Sequence, residues 1–172
     1  QAGDVFVLHG PCHNPTGADL PIAVLAELVD KAAARGVIPL IDAAYYGLGN
    51  DLDEDLASLA ELLLAAPRAL LILSCSKSFG LYRERTGILF AACSNTSEAQ
   101  IVQRTLEFIA RGSYSMPPSH GAAVVGQILT DSALAADWRA ELREMRARVQ
   151  SVREQLHVVG DTLAELSAVR RQ

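Results

Sequence analysis

Three short apolar runs, Val5 to His9 (VFVLH), Val37 to Ile41 (VIPLI) and Ala69 to Leu73 (ALLIL), are separated by stretches with helical spacing. No other feature of the sequence limits the fold as strongly. Continuous apolar runs of this length fit strands buried on both faces, the pattern of a parallel sheet. After the first run, Asp19 and Pro21 mark a helix start, Ile22, Leu25, Leu28, Val29 and Ala32 share a face, and Gly36 marks a stop. After the second, Leu56, Leu59, Leu62 and Leu63 form another apolar face, with Pro67 beyond its end. The alternation predicts an α/β chain: a three-layer α/β/α arrangement with a mostly parallel sheet. A fourth strand, Thr86 to Ala92 (TGILFAA), follows too short a link for a crossover and is expected to run antiparallel at an edge.

The remainder reads as helical. Ser97–Arg111 and His120–Leu129 are two helices, the second following Pro117-Pro118. A long helix starts near Ser132, capped by Asp131 or Ser132. Along it Trp138, Leu142, Met145, Val149, Val152, Leu156, Val159, Leu163 and Leu166 alternate steps of four and three. That stripe predicts a helix packed along a domain rather than a free coiled coil. Residues 1–131 are expected to belong to one domain, and 132–172 to form a long interdomain helix and the start of a second.

Composition narrows the function. A net charge of −5 argues against a nucleic-acid or membrane-surface partner, and the apolar runs are too short to cross a bilayer. Three cysteines, Cys12, Cys75 and Cys93, are odd in number and unpatterned, which suits a reducing cytoplasm. The opening Gln1-Ala2-Gly3-Asp4 lacks a signal peptide's basic and apolar runs and an initiator methionine, as expected of a piece of a longer protein.

Ligands of doubly wound sheets gather at the carboxyl ends of the strands. Here those ends carry His9 then Asn14, Asp42 then Tyr45, and Ser74 then Lys77. The chain has fifteen lysines and arginines together, yet only Lys31 and Lys77 are lysines. An amine in a partly desolvated site can lose its proton and attack a carbonyl, which a guanidinium cannot do. Arg85 with Ser74 and Ser76 suits a phosphate, and Asp42, beside Ala43-Ala44, is a carboxylate in need of a cationic or donor partner. Together these describe the needs of pyridoxal 5′-phosphate: an amine for its aldehyde, a carboxylate for its ring nitrogen, donors for its phenolic oxygen, and arginine with hydroxyls for its phosphate. His9, Cys12 and His13 read as an incidental turn cluster rather than a metal site. Ser74-Cys75-Ser76-Lys77 also fits the S-x-x-K pattern of serine acyltransferases, but neither S-D-N nor K-T-G accompanies it.

Four segments in order, CHNPTGADL (12–20), DAAYYG (42–47), SCSKSFGLYRERTG (74–87) and SYSMPPSHGAAVV (113–125), resemble the class I aspartate/aromatic-amino-acid aminotransferases of pyridoxal-phosphate fold type I. The likeness runs through the long helix, WRAELREMRARV (138–149). It implies transamination between an amino acid, aromatic or dicarboxylic, and a 2-oxo acid. By motif, Lys77 is the lysine that bonds the cofactor and moves the proton. Asp42 holds the ring nitrogen, and Tyr45 and Asn14 donate to the phenolic oxygen, with Asn14 also beside the substrate. Ser74, Ser76 and Arg85 serve the phosphate. Arg111 matches the arginine that reaches a neighbouring subunit's site to meet a substrate side-chain carboxylate, so a homodimer is implied. Asn14–Pro15 is a candidate cis bond.

Met116 and Tyr46 stand where aspartate-type members carry Asn and Gln. Members are about twice as long, so the chain reads as an internal fragment, expected to be poorly soluble and inactive alone. Two other functions share these features. One is a cofactor-sensing, aminotransferase-like domain of a transcription regulator; the other is a fold-type-I lyase or decarboxylase.

Overall fold

The computed structural model describes residues 1–169. In chain order it contains β1 (Val5–His9), α1 (Ile22–Ala33), β2 (Ile38–Ala43), α2 (Leu52–Ala65), β3 (Ala69–Ser74), α3 (Cys75–Ser78), β4 (Gly87–Ala92), α4 (Thr96–Tyr114), α5 (His120–Thr130) and α6 (Ser132–Val169). The sheet order is β1-β2-β3-β4. The first three strands are parallel and β4 is antiparallel to β3, as the short link before it requires. Register sets His9 beside Asp42, and Asp42 beside Ile72, so the polar ends of β1, β2 and β3 meet on one rim.

One face of the sheet is covered by α1 and α2. Leu8, Ile41, Ala43, Ala69 and Leu71 from the strands form a core with Leu25 and Val29 of α1 and with Leu59 and Leu62 of α2. By register Val5, Val7, Ile38, Leu40, Leu70, Ile72 and Leu89 share the opposite face. It is equally apolar, yet Val5 and Val7 are 52% and 56% exposed.

Helix starts differ in part from the local signals. Asp51 caps α2, its Oδ1 accepting from Asp53 N at 2.9 Å. Asp131 rather than Ser132 caps α6, accepting from Ala133 N and Leu134 N. Asp19 does not cap α1; Pro21 precedes that helix without a side-chain cap, while the Asp19 carboxylate accepts from Cys12 N and from Arg153 on α6. A tertiary partner has claimed an acid that local pattern assigns to a helix start.

The long helix lies across the loops at the strand ends. Leu142 is buried in the main core, with Trp138 and Met145 packed against it. The indole of Trp138 stacks on Phe79, with centroids 4.3 Å apart and planes at 10°. Beyond Val149 the stripe leaves the body: Val152, Leu156 and Val159 are exposed. The expected packing therefore holds for the first half of the helix. The side chains of Leu163 and Leu166, and residues 170–172, lie outside the described residues. Three arginines seven residues apart pair with aspartates at the start of α2 and in the loop before α1: Arg139 with Asp53, Arg146 with Asp51 and Arg153 with Asp19.

Candidate active site

The rim brings four of the sequence candidates together. Asn14, Asp42, Tyr45 and Lys77 line one cavity of about 130 Å³ with His9, Pro11 and Ala44. A wider cavity of about 450 Å³ shares Asn14, Tyr45 and Lys77 and adds Tyr82 together with Met145, Arg148, Val149 and Arg153 of α6. An inner slot and a larger chamber thus lie side by side with three lining residues in common, an arrangement that suits a small ligand with a variable substituent. A separate cavity of about 320 Å³ between α1 and α2, around Leu25, Leu59 and Asp55, holds none of the candidates.

Local structure explains each position. Asp42 is the next-to-last residue of β2, half-buried, and its Oδ1 accepts from Ala44 N at 3.1 Å. The bond fixes the carboxylate at the strand end and leaves its second oxygen for a ligand. Tyr45 follows in the turn, where its carbonyl accepts from Leu48 N at 3.0 Å. Asn14 sits in the loop after β1, where the Asn14–Pro15 peptide is cis as expected. Its backbone N–H donates to His9 Nδ1 at 3.3 Å. Lys77 stands on the short helix α3, directly after β3. Its Nζ lies 5.5 Å from the Tyr45 ring centroid and 5.0 Å from that of Tyr82, between two aromatic faces that favour a cation.

The other candidates lie outside these cavities. Ser74 caps α3, its Oγ accepting from Ser76 N at 3.2 Å, and Ser76 is buried. Arg85, at φ 52°, turns one Nη back to the Tyr82 carbonyl at 2.9 Å. A guanidinium has five donors, so others remain available. Arg111, on α4, is exposed and donates to Ser115 Oγ at 3.0 Å. Met116 is exposed, whereas Tyr46 is buried. Burial pushes the Tyr46 phenol up to about 12. The rings of His9 and His13 lie tilted at 42° with centroids 4.7 Å apart, and among the described residues no group of three or more His, Cys, Asp or Glu is placed to hold a metal.

Sequence reasoning missed Tyr82 and the contribution of α6. Tyr82 follows Lys77 by five residues in an irregular turn, so no periodicity flags it. Met145 and Val149 belong to a stripe that reads as packing, and Arg148 reads as solvated charge. The amine, carboxylate, amide and phenol of the inner slot form a donor set that fits an aldehyde-bearing ring with a cationic nitrogen and an anionic oxygen.

Comparison with known proteins agrees with that chemistry. The sequence model of the family described as "Aminotransferase class I and II" matches residues 1–163. A tyrosine aminotransferase of Rhizobium meliloti is 52% identical over 155 residues, covering 90% of this chain and 40% of the relative. An aspartate aminotransferase of Escherichia coli is 42% identical over 172 residues, covering 99% and 42%. Among solved structures, an aromatic-amino-acid aminotransferase from Burkholderia pseudomallei, described as covalently bound to pyridoxal phosphate, superposes with a TM-score of 0.83 at 41% identity, covering 90% of this chain and 39% of that one. The chain thus spans about 40% of the length of the curated relatives it matches.

Proposed function

The chain belongs to the aminotransferase class I and II family, and on that premise we propose that its whole protein transfers an amino group between an amino acid and a 2-oxo acid. The observation that carries this reading is the inner slot, where Lys77, Asp42, Tyr45 and Asn14 converge. Pyridoxal 5′-phosphate held there would supply an electron-withdrawing ring that acidifies the α-hydrogen of a bound amino acid.

The chain's own residues have distinct tasks. Lys77 Nζ provides the amine that would anchor the cofactor and, once free, would accept the α-proton and deliver it to the cofactor's aldehyde-derived carbon. The Asp42 carboxylate keeps a ring N–H protonated by accepting from it. Tyr45 Oη and the Asn14 amide donate toward an anionic ring oxygen. Ser74, Ser76 and Arg85 serve the phosphate, the arginine by swinging its free donors from the Tyr82 turn. Arg111, exposed on α4, serves a substrate side-chain carboxylate in a second subunit, which makes the protein a homodimer with shared sites. The relatives' names include tyrosine, aromatic and aspartate aminotransferases, so the substrate class is aromatic or dicarboxylic amino acids. Among the described residues no helix is long and apolar enough to cross a membrane. The free thiols of Cys12, Cys75 and Cys93 support a reducing, cytoplasmic setting. Residues 1–131 form the cofactor domain, and α6 leads from it toward a second.

Borohydride reduction of the full-length, cofactor-loaded protein, followed by peptide mass spectrometry, tests the assignment. The expected result is loss of the visible absorbance with a pyridoxyl adduct on Lys77. An adduct on any other residue overturns it.

A further inference from the structure

Asp55 lies in the first turn of α2, where an acid usually serves the helix end, but Asp51 already caps that helix. Its side chain is only 7% exposed. It gathers three backbone donors: Oδ2 accepts from Gly47 N at 2.8 Å and Gly49 N at 3.1 Å, and Oδ1 from Asn50 N at 3.2 Å. Burial pushes this carboxyl up while the three backbone N–H groups pull it back, and the ionised form, with about four lone-pair sites and no donor of its own, makes fullest use of the triad. The gathered turn joins two parts of the candidate site. Leu48 N donates to the Tyr45 carbonyl, and Cys12 Sγ donates to the Leu48 carbonyl at 3.4 Å, two residues before Asn14. The turn is also pressed from both sides, since a Cβ on Gly49 would stand 2.8 Å from Asp55 Oδ1 and 2.7 Å from Pro11 Cβ.

We propose that Asp55 is a positioning residue, whose triple hold on the 47–50 turn sets where Tyr45 and Asn14 stand beside Lys77. The inference rests on the reading above, in which those two side chains donate to the cofactor's phenolic oxygen. Asp55 touches neither cofactor nor substrate and acts through the turn. Removing its charge frees a backbone segment that begins two residues after Tyr45 and is tied by a thiol to the Asn14 loop.

Full-length Asp55→Asn, Tyr45→Phe and the double variant test it with two readouts. The first is hydrogen exchange of the cofactor-free protein. Amides 47–50 are expected to exchange about tenfold faster or more in Asp55→Asn, with the acceleration extending to segments 12–16 and 43–46. Acceleration confined to 47–50 overturns the proposal. The second is the pH midpoint of the bound cofactor's visible band. Asp55→Asn is expected to shift it in the same direction as Tyr45→Phe, and the double variant to match Tyr45→Phe alone. An additive shift, or none in Asp55→Asn, overturns it. If Asp55→Asn does not fold, Gly49→Ala, which pushes on the same carboxylate from the turn, carries both readouts. Failure of the underlying reading looks different: Tyr45→Phe itself leaves the band unmoved, and the exchange result alone then decides for or against Asp55.

Discussion

The indole Nε1 of Trp138 donates to the carbonyl of Ser78 at 2.8 Å, a bond between residues sixty positions apart. Ser78 is the last residue of α3, the helix that carries Lys77, so this bond ties α6 to the element holding that amine. Trp138→Phe keeps the stack on Phe79 and leaves the carbonyl without its donor, at an expected cost of about 1–2 kcal/mol. Trp138→Ala also loses the stacked ring and is expected to cost about 3–5 kcal/mol. Denaturant midpoints of the two variants measure the difference; equal effects would mean that the stacked ring contributes nothing beyond the hydrogen bond.

Lys77→Arg preserves positive charge at the site but removes an amine able to lose its proton. Transaminase turnover of the full-length protein is expected to fall by at least about 10²–10⁴-fold, the contribution of a positioned proton carrier, and the visible band of the covalently held cofactor to disappear. Turnover within a few-fold of the parent would remove Lys77 from the chemistry.

Tyr46 gives an alkaline signature. Burial raises its phenol to about 12, against about 10 for an exposed tyrosine. Below pH 10 the phenol is neutral in both states and its contribution is fully present. As pH rises from 10 through 12 the unfolded chain ionises first, and the folded state loses about 2–3 kcal/mol relative to its neutral-pH value. Tyr46→Phe is expected to flatten that loss, as read from urea midpoints between pH 9 and 12.

Asp51 gives the opposite sign. The backbone N–H of Asp53, followed by the Arg146 guanidinium, holds its carboxyl below the ordinary carboxylate range. Its contribution is present above the unfolded value of about 3.9 and is lost as pH falls through the lower folded value. Asp51→Asn retains a capping oxygen, so the helix start survives while this acid sensitivity vanishes. The measurement is thermal stability between pH 5 and 2.5, and an unchanged acid profile in the variant would refute the assignment.

Gly47 follows the two tyrosines at φ +81°, with an added Cβ falling 2.7 Å from Leu142 Cδ2 and 3.1 Å from Leu52 Cδ1. Gly47→Ala therefore combines left-handed backbone with overpacking of a buried leucine, and a loss of about 2–4 kcal/mol is expected. Because Leu142 lies one helical turn from Trp138, tryptophan fluorescence should report the disturbance along with the lowered midpoint. A midpoint within about 0.5 kcal/mol of the parent would show that the turn relaxes freely.

What the sequence disclosed follows from how far each signal reaches. The strands, the parallel pairing of the first three and the antiparallel edge were legible because apolar runs and short links are local. Asn14, Asp42, Tyr45 and Lys77 were legible because each sits within a few residues of a strand end. Asp55 was not, since an acid in a helix's first turn has an ordinary local explanation and its true partners are defined only once the turn folds back. Asp19 misled for the same reason. Arg139, Arg146 and Arg153 carry no local signal of pairing because their aspartates lie 86 to 134 positions away.

Those three arginines deserve a mechanical reading. Each exposed pair adds little to stability, but their spacing of seven matches two helical turns, so all three meet their aspartates at one setting of α6. A rotation of one residue, about 100°, would break the whole set together. The helix is keyed like a spline rather than carried on a bearing: sliding or rolling it past Lys77 by one residue costs all three pairs at once. Displacement of the helix beyond Arg153 can then be absorbed by flexing there, leaving the chamber wall of Met145, Arg148 and Val149 in place.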